Sequence, residues 1–368
     1  MVKEEAGRAP TPERPLVLTI GHATWDLLAT VPTFPVEDEK QEITLFEESG
    51  GGPAATAACL VARWGLRAAF AGVVGADRRG QAVVDELLGH GVDCGLVEQR
   101  AGHRTPTSLV IINAENGSRT IINHKQPTAP LELAAAALAL KITVPPAILL
   151  FDGHELAAAA AALAAFPRAG SILDAGSVRE GTLALAGRVT HLAASMRFAR
   201  QLTSIDPRQG LEAAERALAH LRQRFPAPQT ITITLAEQGA LTDEAGGCRQ
   251  HFAAPAVQVV ETTGAGDIWH GALAYALCDW GHWTRLQLGP YDGDWAWRDG
   301  PTATIPINYY GTILWGLGGA AVGGALAAIA CALWRRPIPR TVERLGAAWA
   351  LTATLLAGTY YLWHLWPF

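Results

Sequence analysis

Short apolar runs alternate with alanine-rich stretches along the first three quarters of the chain. Buried strands are predicted at 16–20, 69–74, 146–152, 171–174 and 229–235, and helices at 53–64, 80–90 and 156–166. Alternation of strands and helices is typical of an α/β domain whose mostly parallel sheet is covered by helices on both faces. We therefore expect one such domain over residues 15–283.

A different pattern interrupts this alternation. Residues 108–113 and 119–123 are rich in β-branched side chains and flank Glu115-Asn116-Gly117. An Asn-Gly pair between such runs is a strong hairpin signal. Segments 42–49 and 105–123 are therefore predicted to add a small β-rich element to the α/β core.

The end of the chain has a third character. Residues 309–334 and 345–368 contain no charged side chain, and each segment is longer than the roughly 20 residues that a helix needs to cross a bilayer. Tryptophan and tyrosine lie towards their ends, as in the aromatic belts of membrane proteins. We expect a two-helix transmembrane hairpin in the lipid bilayer over 309–368, with buried soluble helices as the alternative. A flexible tail at 1–14 and a linker at 284–308 complete the predicted organisation.

Composition narrows the classes of function. A formal net charge of −5 and an isoelectric point near 6.1 argue against nucleic-acid binding, which usually needs a basic surface. The cysteines are scattered without a C-x-x-C pair, which argues for a reducing compartment. The first 14 residues lack the apolar core of a signal peptide. We expect a membrane-anchored protein with its α/β domain in the cytoplasm, although the arginines of 335–344 favour the opposite orientation.

The strongest chemical signal is the run Glu-Thr-Thr-Gly-Ala-Gly-Asp at 261–267, followed by an apolar helical run at 268–277. Glycines allow close approach of a bound group, and the N–H groups at a helix N-terminus attract negative charge. The segment is therefore predicted to hold a transferring phosphoryl group. Asp267 would lie beside it and act as general base towards an attacking hydroxyl.

Four ordered motifs resemble those of the PfkB, or ribokinase-like, carbohydrate kinases. Residues 262–267 match T-x-G-A-G-D and 72–80 match G-x-x-G-x-D-x-x-G, while 50–58 and 21–26 are similar to the family's Gly-Gly loop and first strand. The wording of 50–58, with Pro53 where ribokinase-type members have asparagine, is closest to ketohexokinase and sulfofructose kinase members. The resemblance implies a ribokinase-like fold with a β lid over the sugar, ATP and Mg²⁺ as cofactors, and a small sugar such as a ketose as substrate.

The same resemblance implies roles for individual residues around the sugar. Asp267 would be the base, and the anion hole would be formed by Thr263, Gly264, Ala265 and Gly266. Asp26, Gly51 and Gly52 would bind the sugar, and Lys40 aligns with a basic position that some members use near the substrate.

On the nucleotide side, residues 232–240 resemble the family's T-L-G-x-x-G turn, with Ala236 in place of the usual first glycine. This implies ATP contacts from Thr234, Glu237 and Gly239, together with Thr263. Three other basic residues, Arg104, Arg119 and Lys125, are either contacts for an anionic substituent of the substrate or solvated surface charges.

Two departures from the family pattern leave alternatives open. The family's N-x-x-E motif organises magnesium through water, yet no glutamate occurs at 194–199, and no residue is assigned as a metal ligand. After about Gly281 the chain loses the family's pattern altogether. The leading hypothesis is a membrane-tethered sugar kinase that pairs as a homodimer through its lid. The alternatives are a degenerate kinase domain that serves as an accessory to integral membrane subunits, and a hairpin that comes from a fused or misassembled reading frame.

Overall fold

The computed structural model describes residues 14–257 and 262–287, which belong to one compact unit of the chain. The strands are β1 Leu16–Ile20, β2 Thr24–Val31, β3 Leu45–Gly51, β4 Arg67–Gly75, β5 Val92–Arg100, β6 Thr107–Asn113, β7 Arg119–His124, β8 Ile148–Phe151, β9 Gly170–Ala175, β10 His191–Ser195, β11 Thr230–Thr234, β12 Ala240–Glu244 and β13 Arg249–Phe252. The helices are α1 Pro53–Arg63, α2 Arg78–Gly89, α3 Ala135–Lys141, α4 Leu156–Ala165, α5 Glu180–Ala186, α6 Met196–Thr203, α7 Leu211–Arg224 and α8 Ala265–Gln287.

The main sheet of the described residues has the order β13-β12-β11-β10-β9-β8-β1-β4-β5. All neighbours from β11 to β5 are parallel, and only the β11-β12-β13 edge is antiparallel. The predicted mostly parallel sheet is therefore confirmed. In a sheet of this kind the carboxyl ends of the strands meet at one edge, which is where ligands bind in open α/β folds.

Helices cover both faces of the sheet because its strands are apolar on both sides. Side chains alternate between faces along a strand, so Leu18 and Ile20 of β1 join one core while Val17 joins the other. Helices α4 to α7 pack on the first face, and α1, α2 and α8 pack on the second. The predicted doubly covered architecture is confirmed.

A separate four-stranded sheet, with the order β3-β2-β6-β7, forms the predicted β element. The hairpin around Asn116-Gly117 pairs β6 with β7 in antiparallel register. We call this sheet the lid. The structure differs from the prediction at residues 21–26: the first strand ends at Ile20, and Asp26 lies on the lid strand β2. The chain leaves the main sheet here because the amide of His22 donates to the Asp152 carboxylate, at 2.7 Å, instead of continuing the ladder.

The predictions for the two ends of the chain lie largely outside the described residues. They are the N-terminal tail up to residue 13, the linker from residue 288 onward and the transmembrane hairpin at 309–368. Helix α8 runs to Gln287, four residues into the predicted linker, since no proline occurs before Pro290 to stop it. Within the part of the chain that the structure describes, no helix is both long enough and apolar enough to span a bilayer.

The G-x-x-G-x-D-x-x-G motif ties the lid to the main sheet through Asp77. This residue caps α2 by accepting from the amide of Gly80 at 2.8 Å. It also accepts from the hydroxyl and the amide of Thr105, just before β6, at 2.6 and 2.9 Å. Burial opposes ionisation of Asp77, but these hydrogen bonds outweigh it and hold its pKa below the usual value.

We predict that Asp77→Ala lowers the free energy of unfolding by about 2 kcal/mol, because it removes a helix cap and leaves two donors of Thr105 unpaired. Denaturant unfolding at pH 7 measures this, with Asp85→Ala on the exposed face of α2 as the matched control. A lowered native pKa stabilises the fold fully above the unfolded-state pKa of about 3.8, and this stabilisation is lost as the pH falls from there through the native pKa. The difference in the free energy of unfolding between wild type and Asp77→Ala should therefore shrink in acid. At pH 7, equal losses of stability in Asp77→Ala and Asp85→Ala would contradict the role assigned to Asp77.

Candidate active site

The loop 262–266 and the first turn of α8 form an anion-binding geometry. Gly264 has a φ of 71°, a conformation that glycine adopts without strain, and its carbonyl accepts from the amide of Ile268 at 2.8 Å. The amides of Gly266 and Asp267 precede the first intrahelical donor and so have no acceptor within the helix. Apart from its chain neighbours and the backbone of its own helix, a Cβ at Gly266 would meet no atom of the described residues within 4 Å. The hydroxyl of Thr263 is buried and has no hydrogen-bond partner among the described residues. Free donors and open space at a helix N-terminus suit a phosphate oxygen.

The amide of Ala265, predicted to belong to the anion hole, instead donates to the carbonyl of Thr262 at 3.3 Å. This contact closes the turn that aims the next two amides outward. The predicted residues Thr263, Gly264 and Gly266 thus lie together at the start of α8, and Ala265 shapes their loop.

Asp267 lies in this first turn of α8. Burial raises its pKa to about 7, and the negative charges of Asp174 and Asp152 add to the effect. His270 and Arg119 act in the opposite direction. A carboxyl group with a pKa near neutral pH accepts and releases a proton readily, as a general base must.

A second buried carboxyl group, that of Asp174, acts electrostatically on Asp267. Asp174 is at the end of β9, and burial, followed by the charge of Asp152, raises its pKa to about 7. Its Oδ2 lies 3.2 Å from Nδ1 of His270 on α8, and burial lowers the pKa of that imidazole to about 4. His270 is therefore neutral at pH 7, and among the neighbouring charges that of Asp174 raises the pKa of Asp267 most. Neither Asp174 nor His270 was assigned a role from the sequence.

The sugar side of the site is built on β2 and the Gly-Gly turn. Asp26 accepts from the hydroxyl of Thr24 at 2.7 Å, and Thr24 faces Gly51 across the β2-β3 pair. A Cβ on Gly51 would lie 2.1 Å from Oδ2 of Asp26, and a Cβ on Gly52 would lie 2.4 Å from the carbonyl oxygen of His22. Only glycines permit this close approach, so Asp26, Gly51 and Gly52 lie together as predicted.

Lys40, unlike Asp26, Gly51 and Gly52, is not part of this turn. It lies on the exposed loop between β2 and β3. Its assignment to the substrate stays a prediction from the resemblance.

Asp152 is a site residue that sequence analysis treated only as the end of a buried strand. Its carboxylate accepts from the amides of His22 at 2.7 Å, His154 at 2.9 Å and Ala54 at 3.4 Å. It thereby joins the ends of β1 and β8 to the start of α1. The available signal was an aspartate directly after a buried parallel strand, the position at which ligands bind in such sheets.

On the nucleotide side, Thr234 ends β11 and Glu237 lies exposed in the short 3₁₀ turn that follows. The carbonyl of Gly239 closes this turn by accepting from Leu235 at 2.7 Å. Ala236 has a φ of 52°, a left-handed conformation that explains why related kinases carry glycine at this place. The predicted residues Thr234, Glu237 and Gly239 thus share one turn at the carboxyl end of the sheet.

The place expected for the magnesium-organising glutamate is occupied by a helix cap. Ser195 caps α6 by accepting from Phe198 at 3.1 Å, and it donates to the carbonyl of Gly176 at 2.8 Å. Arg197, on the first turn, is exposed. Within residues 14–257 and 262–287, no group of three or more His, Cys, Asp or Glu side chains is arranged to hold a metal ion.

Arg119 connects the lid to the anion loop. From the first position of β7 it donates to the carbonyl and the hydroxyl of Thr262, at 2.8 and 2.6 Å. These residues are 143 positions apart in the chain, so the contact fixes the lid against the loop that precedes Asp267.

This combination of a doubly covered sheet, a β lid and a helix N-terminus beside a carboxyl group defines an α/β sugar-kinase architecture. Residues 14–286 match the model of the pfkB family of carbohydrate kinases, and the chain belongs to that family. The family predicted from the motifs is thereby confirmed.

Individual relatives agree with this assignment. Fructokinase-1 of Oryza sativa subsp. japonica is 27% identical over 270 residues, covering 70% of this chain and 81% of that protein. The ketohexokinase of Mus musculus is 30% identical over 110 residues, covering 30% of this chain and 37% of that protein. The structure of Arabidopsis thaliana ribokinase complexed with ribose and ATP superposes with a TM-score of 0.60 at 23% identity, covering 73% of this chain and 86% of that one. The ribokinase-like fold is confirmed.

We predict that Arg119→Ala lowers kcat/KM for the sugar by about three- to tenfold while leaving the melting temperature nearly unchanged. The exposed, charged hydrogen bonds from Arg119 to Thr262 contribute about 1 kcal/mol to holding the lid on the loop. Their loss should therefore increase the fraction of protein with an open lid and have little effect on global unfolding. Steady-state kinetics and thermal melts measure both quantities. Arg79→Ala, which removes an exposed lid-facing arginine without a bond to Thr262, is the control and should stay near wild type.

We also predict that activity rises with pH through about 7, because Asp267 accepts a proton only when ionised. Asp174→Asn removes a neighbouring negative charge, so the pKa of Asp267 falls and the rising limb should move to lower pH. Profiles of log(kcat/KM) against pH for both proteins test this. A limb that stays in place in Asp174→Asn would show that Asp174 does not act on the base.

Proposed function

We propose that the chain transfers the γ-phosphoryl group of ATP to a hydroxyl group of a small sugar, with Asp267 as general base. The observation that carries the proposal is the pairing of a carboxyl group, its pKa raised to about 7, with free amides in the same helical turn. In the forward reaction the sugar hydroxyl oxygen attacks the γ-phosphorus, its proton passes to Asp267, and ADP leaves. Positioning and charge stabilisation supply most of the catalysis in such transfers.

The donors of the anion loop support the charge-stabilising half of this mechanism. The amides of Gly266 and Asp267 and the unpaired hydroxyl of Thr263 would donate to the transferring phosphoryl oxygens. Because the lone hydroxyl is already desolvated, a phosphate oxygen would satisfy it at little further cost.

Sugar binding would fall to Asp26 and the turn Gly51-Gly52. The hydroxyl of Thr24 donates to Oδ1 of Asp26, whereas Oδ2 has no donor among the described residues and would accept from sugar hydroxyls. The likeness of 50–58 to ketohexokinase members supports a ketose as substrate. Lys40 would contribute only if its exposed loop approached the bound sugar.

ATP would lie along the turn of Thr234, Glu237 and Gly239, with its terminal phosphate at the start of α8. The ribokinase with ribose and ATP supports this placement by its fold. Mg²⁺ would neutralise charge on the phosphates. Because no group of three or more candidate ligands occurs among the described residues, the phosphates and water would supply part of its coordination.

Pairing of two lids would account for the apolar residues of the lid surface. Leu45, Phe46, Ile121 and Ile122 are all about half exposed, and β7 is an edge strand with every residue exposed. One face of such a strand would cover the sugar and the other would meet a second copy. A homodimer through the lid is therefore part of the proposal.

A second candidate is an accessory role for a degenerate kinase domain, held to membrane subunits by the predicted hairpin at 309–368. The observation that favours it is the replacement of the magnesium-organising glutamate by the cap Ser195 and the exposed Arg197. Mg–ATP binding by the full chain would argue against this role, and co-purification with integral membrane subunits would support it.

The test of the leading proposal is Asp267→Asn in the full chain. Loss of the base should lower kcat by about 10²- to 10⁴-fold, while Mg–ATP affinity measured by calorimetry stays within a fewfold of wild type. Asp85→Asn, on the exposed face of α2, is the matched control and should retain sugar-dependent ADP release. Wild-type protein that folds but binds no nucleotide would refute the kinase and leave the accessory role.

A further inference from the structure

Three basic side chains meet beside the sugar side of the site. Lys125 follows β7, His154 follows β8, and Arg179 precedes α5. Nζ of Lys125 lies 3.0 Å from Nδ1 of His154, and the guanidinium of Arg179 contacts Nε2 of the same ring. We call these three residues the basic cluster.

The basic cluster contains more hydrogen-bond donors than acceptors. Lysine and arginine side chains only donate, and a neutral imidazole offers one acceptor nitrogen. Burial lowers the pKa of His154 to about 3, with the charges of Arg179 and Lys125 adding to the effect, so the ring is neutral. One of its two nitrogens therefore carries a hydrogen that faces a cation. An acceptor from outside the protein would resolve this mismatch.

Among the described residues, the neighbouring acids make no hydrogen bond to the side chains of the cluster, although the charges of Asp152 and Glu155 act on Lys125. One guanidinium nitrogen of Arg179 donates to the hydroxyl of Ser177 at 2.9 Å. Asp152 is engaged by the amides of His22 and His154, and Oε2 of Glu155 accepts from the amide of Leu131 at 2.7 Å. Among the ion pairs of the described residues, all within 4.0 Å, none involves Lys125 or Arg179. Two cations thus stand together without a carboxylate partner in that part of the chain.

Space for a ligand adjoins two members of the cluster, Lys125 and His154. A cavity of about 430 Å³ is lined by Lys125 and His154 together with Gln126, Thr128 and Glu155. This volume is within the range of small-molecule sites and suits the charged end of a sugar.

The cluster adjoins the sugar side of the site. The His154 ring stacks on that of His22, with centroids 4.4 Å apart, and the carbonyl of His22 backs the turn at Gly52. The nucleotide turn follows β11, which is three strands from β8 in the sheet, or roughly 14 Å at the usual strand spacing. An anion at the cluster would therefore belong to the sugar.

We propose that Lys125, His154 and Arg179 form a subsite for an anionic substituent, a phosphate or a carboxylate, on the sugar that this kinase phosphorylates. The substituent would sit at the end of the sugar that points away from Asp267. This inference rests on the proposed function, because it names the substrate class of the same site. It gives Lys125 a role in specificity and leaves proton transfer to Asp267.

The first experiment measures binding without nucleotide, so that it does not depend on turnover. Calorimetry on the full chain compares fructose 6-phosphate with fructose, and glucuronate with glucose. At least one acidic sugar should bind ten times more tightly than its neutral partner, as expected for a charge-assisted hydrogen bond. The pair that shows the preference tells phosphate from carboxylate.

Variants then locate the preference. Lys125→Met keeps the length of the side chain and removes the charge, and the ratio of acidic to neutral affinity should fall at least tenfold. Lys141→Met, at the exposed end of α3, changes the net charge equally and should leave the ratio at its wild-type value. Equal affinities for acidic and neutral sugars, or equal losses in both variants, would overturn the subsite.

A kinetic arm separates this inference from the proposed function. The ratio of kcat/KM for acidic and neutral sugars should fall at least tenfold in Lys125→Met if turnover occurs. Acidic-sugar binding that depends on Lys125 but leads to no ADP release would uphold the subsite and refute the kinase. A Lys125→Met protein that loses affinity for ATP, with an unchanged sugar ratio, would assign the cluster to the nucleotide and overturn the inference.

Discussion

The geometry of the site depends on the hydrogen bonds of one buried carboxylate, that of Asp152. Its oxygens accept from one amide after β1, one amide after β8 and one amide in the first turn of α1. A carboxylate buried without donors is costly, so these segments and Asp152 stabilise one another. A Cβ on Gly21 would lie 2.2 Å from this carboxylate, which explains a glycine where the chain leaves β1. The Gly-Gly turn and the basic cluster are thus fixed from the same point.

Asp152 also divides the charges of the site. Burial, with the negative charge of Asp152 as a further contribution, raises the pKa of Asp174 and of Asp267 to about 7. Towards Lys125 the same charge opposes the burial that lowers the pKa of the ammonium group. One end of the site therefore accumulates negative charge and readily takes up a proton, while the other end holds two cations with no carboxylate at ion-pair distance among the described residues. A field of this sign would orient an acidic sugar with its anion at Lys125 and its hydroxyl group towards Asp267.

The sequence pattern predicted those strands and turns whose conformation depends mainly on neighbouring residues in the chain. Strands β1, β4 and β11 were found because apolar and β-branched runs favour strands, and the lid hairpin because Asn116-Gly117 fits only a tight turn. Strand β10, His-Leu-Ala-Ala-Ser, was missed because alanine favours helices, and burial between β9 and β11 decides its state. Asp152, Asp174 and His270 escaped for a related reason: only the parallel order of the sheet brings strand ends together with α8. Lys40 is the opposite case. Its position in the sequence aligns with a basic residue of the family, but the alignment alone does not determine where a side chain on an exposed loop lies.

Packing inside the protein explains some glycines of the motifs but not others. The glycines that packing does not explain indicate whether the domain still binds a ligand. Gly51 and Gly52 are required by the protein itself, because a Cβ there would strike Asp26 or the carbonyl of His22. Gly266 is not, since a Cβ at that position would enter open space and its φ is not positive. The space in front of Gly266 adjoins two amides without intrahelical acceptors and the unpaired hydroxyl of Thr263. Packing alone gives no reason to combine open space with unsatisfied donors, whereas a phosphate oxygen would use both, which favours the kinase over a domain retained only as a scaffold.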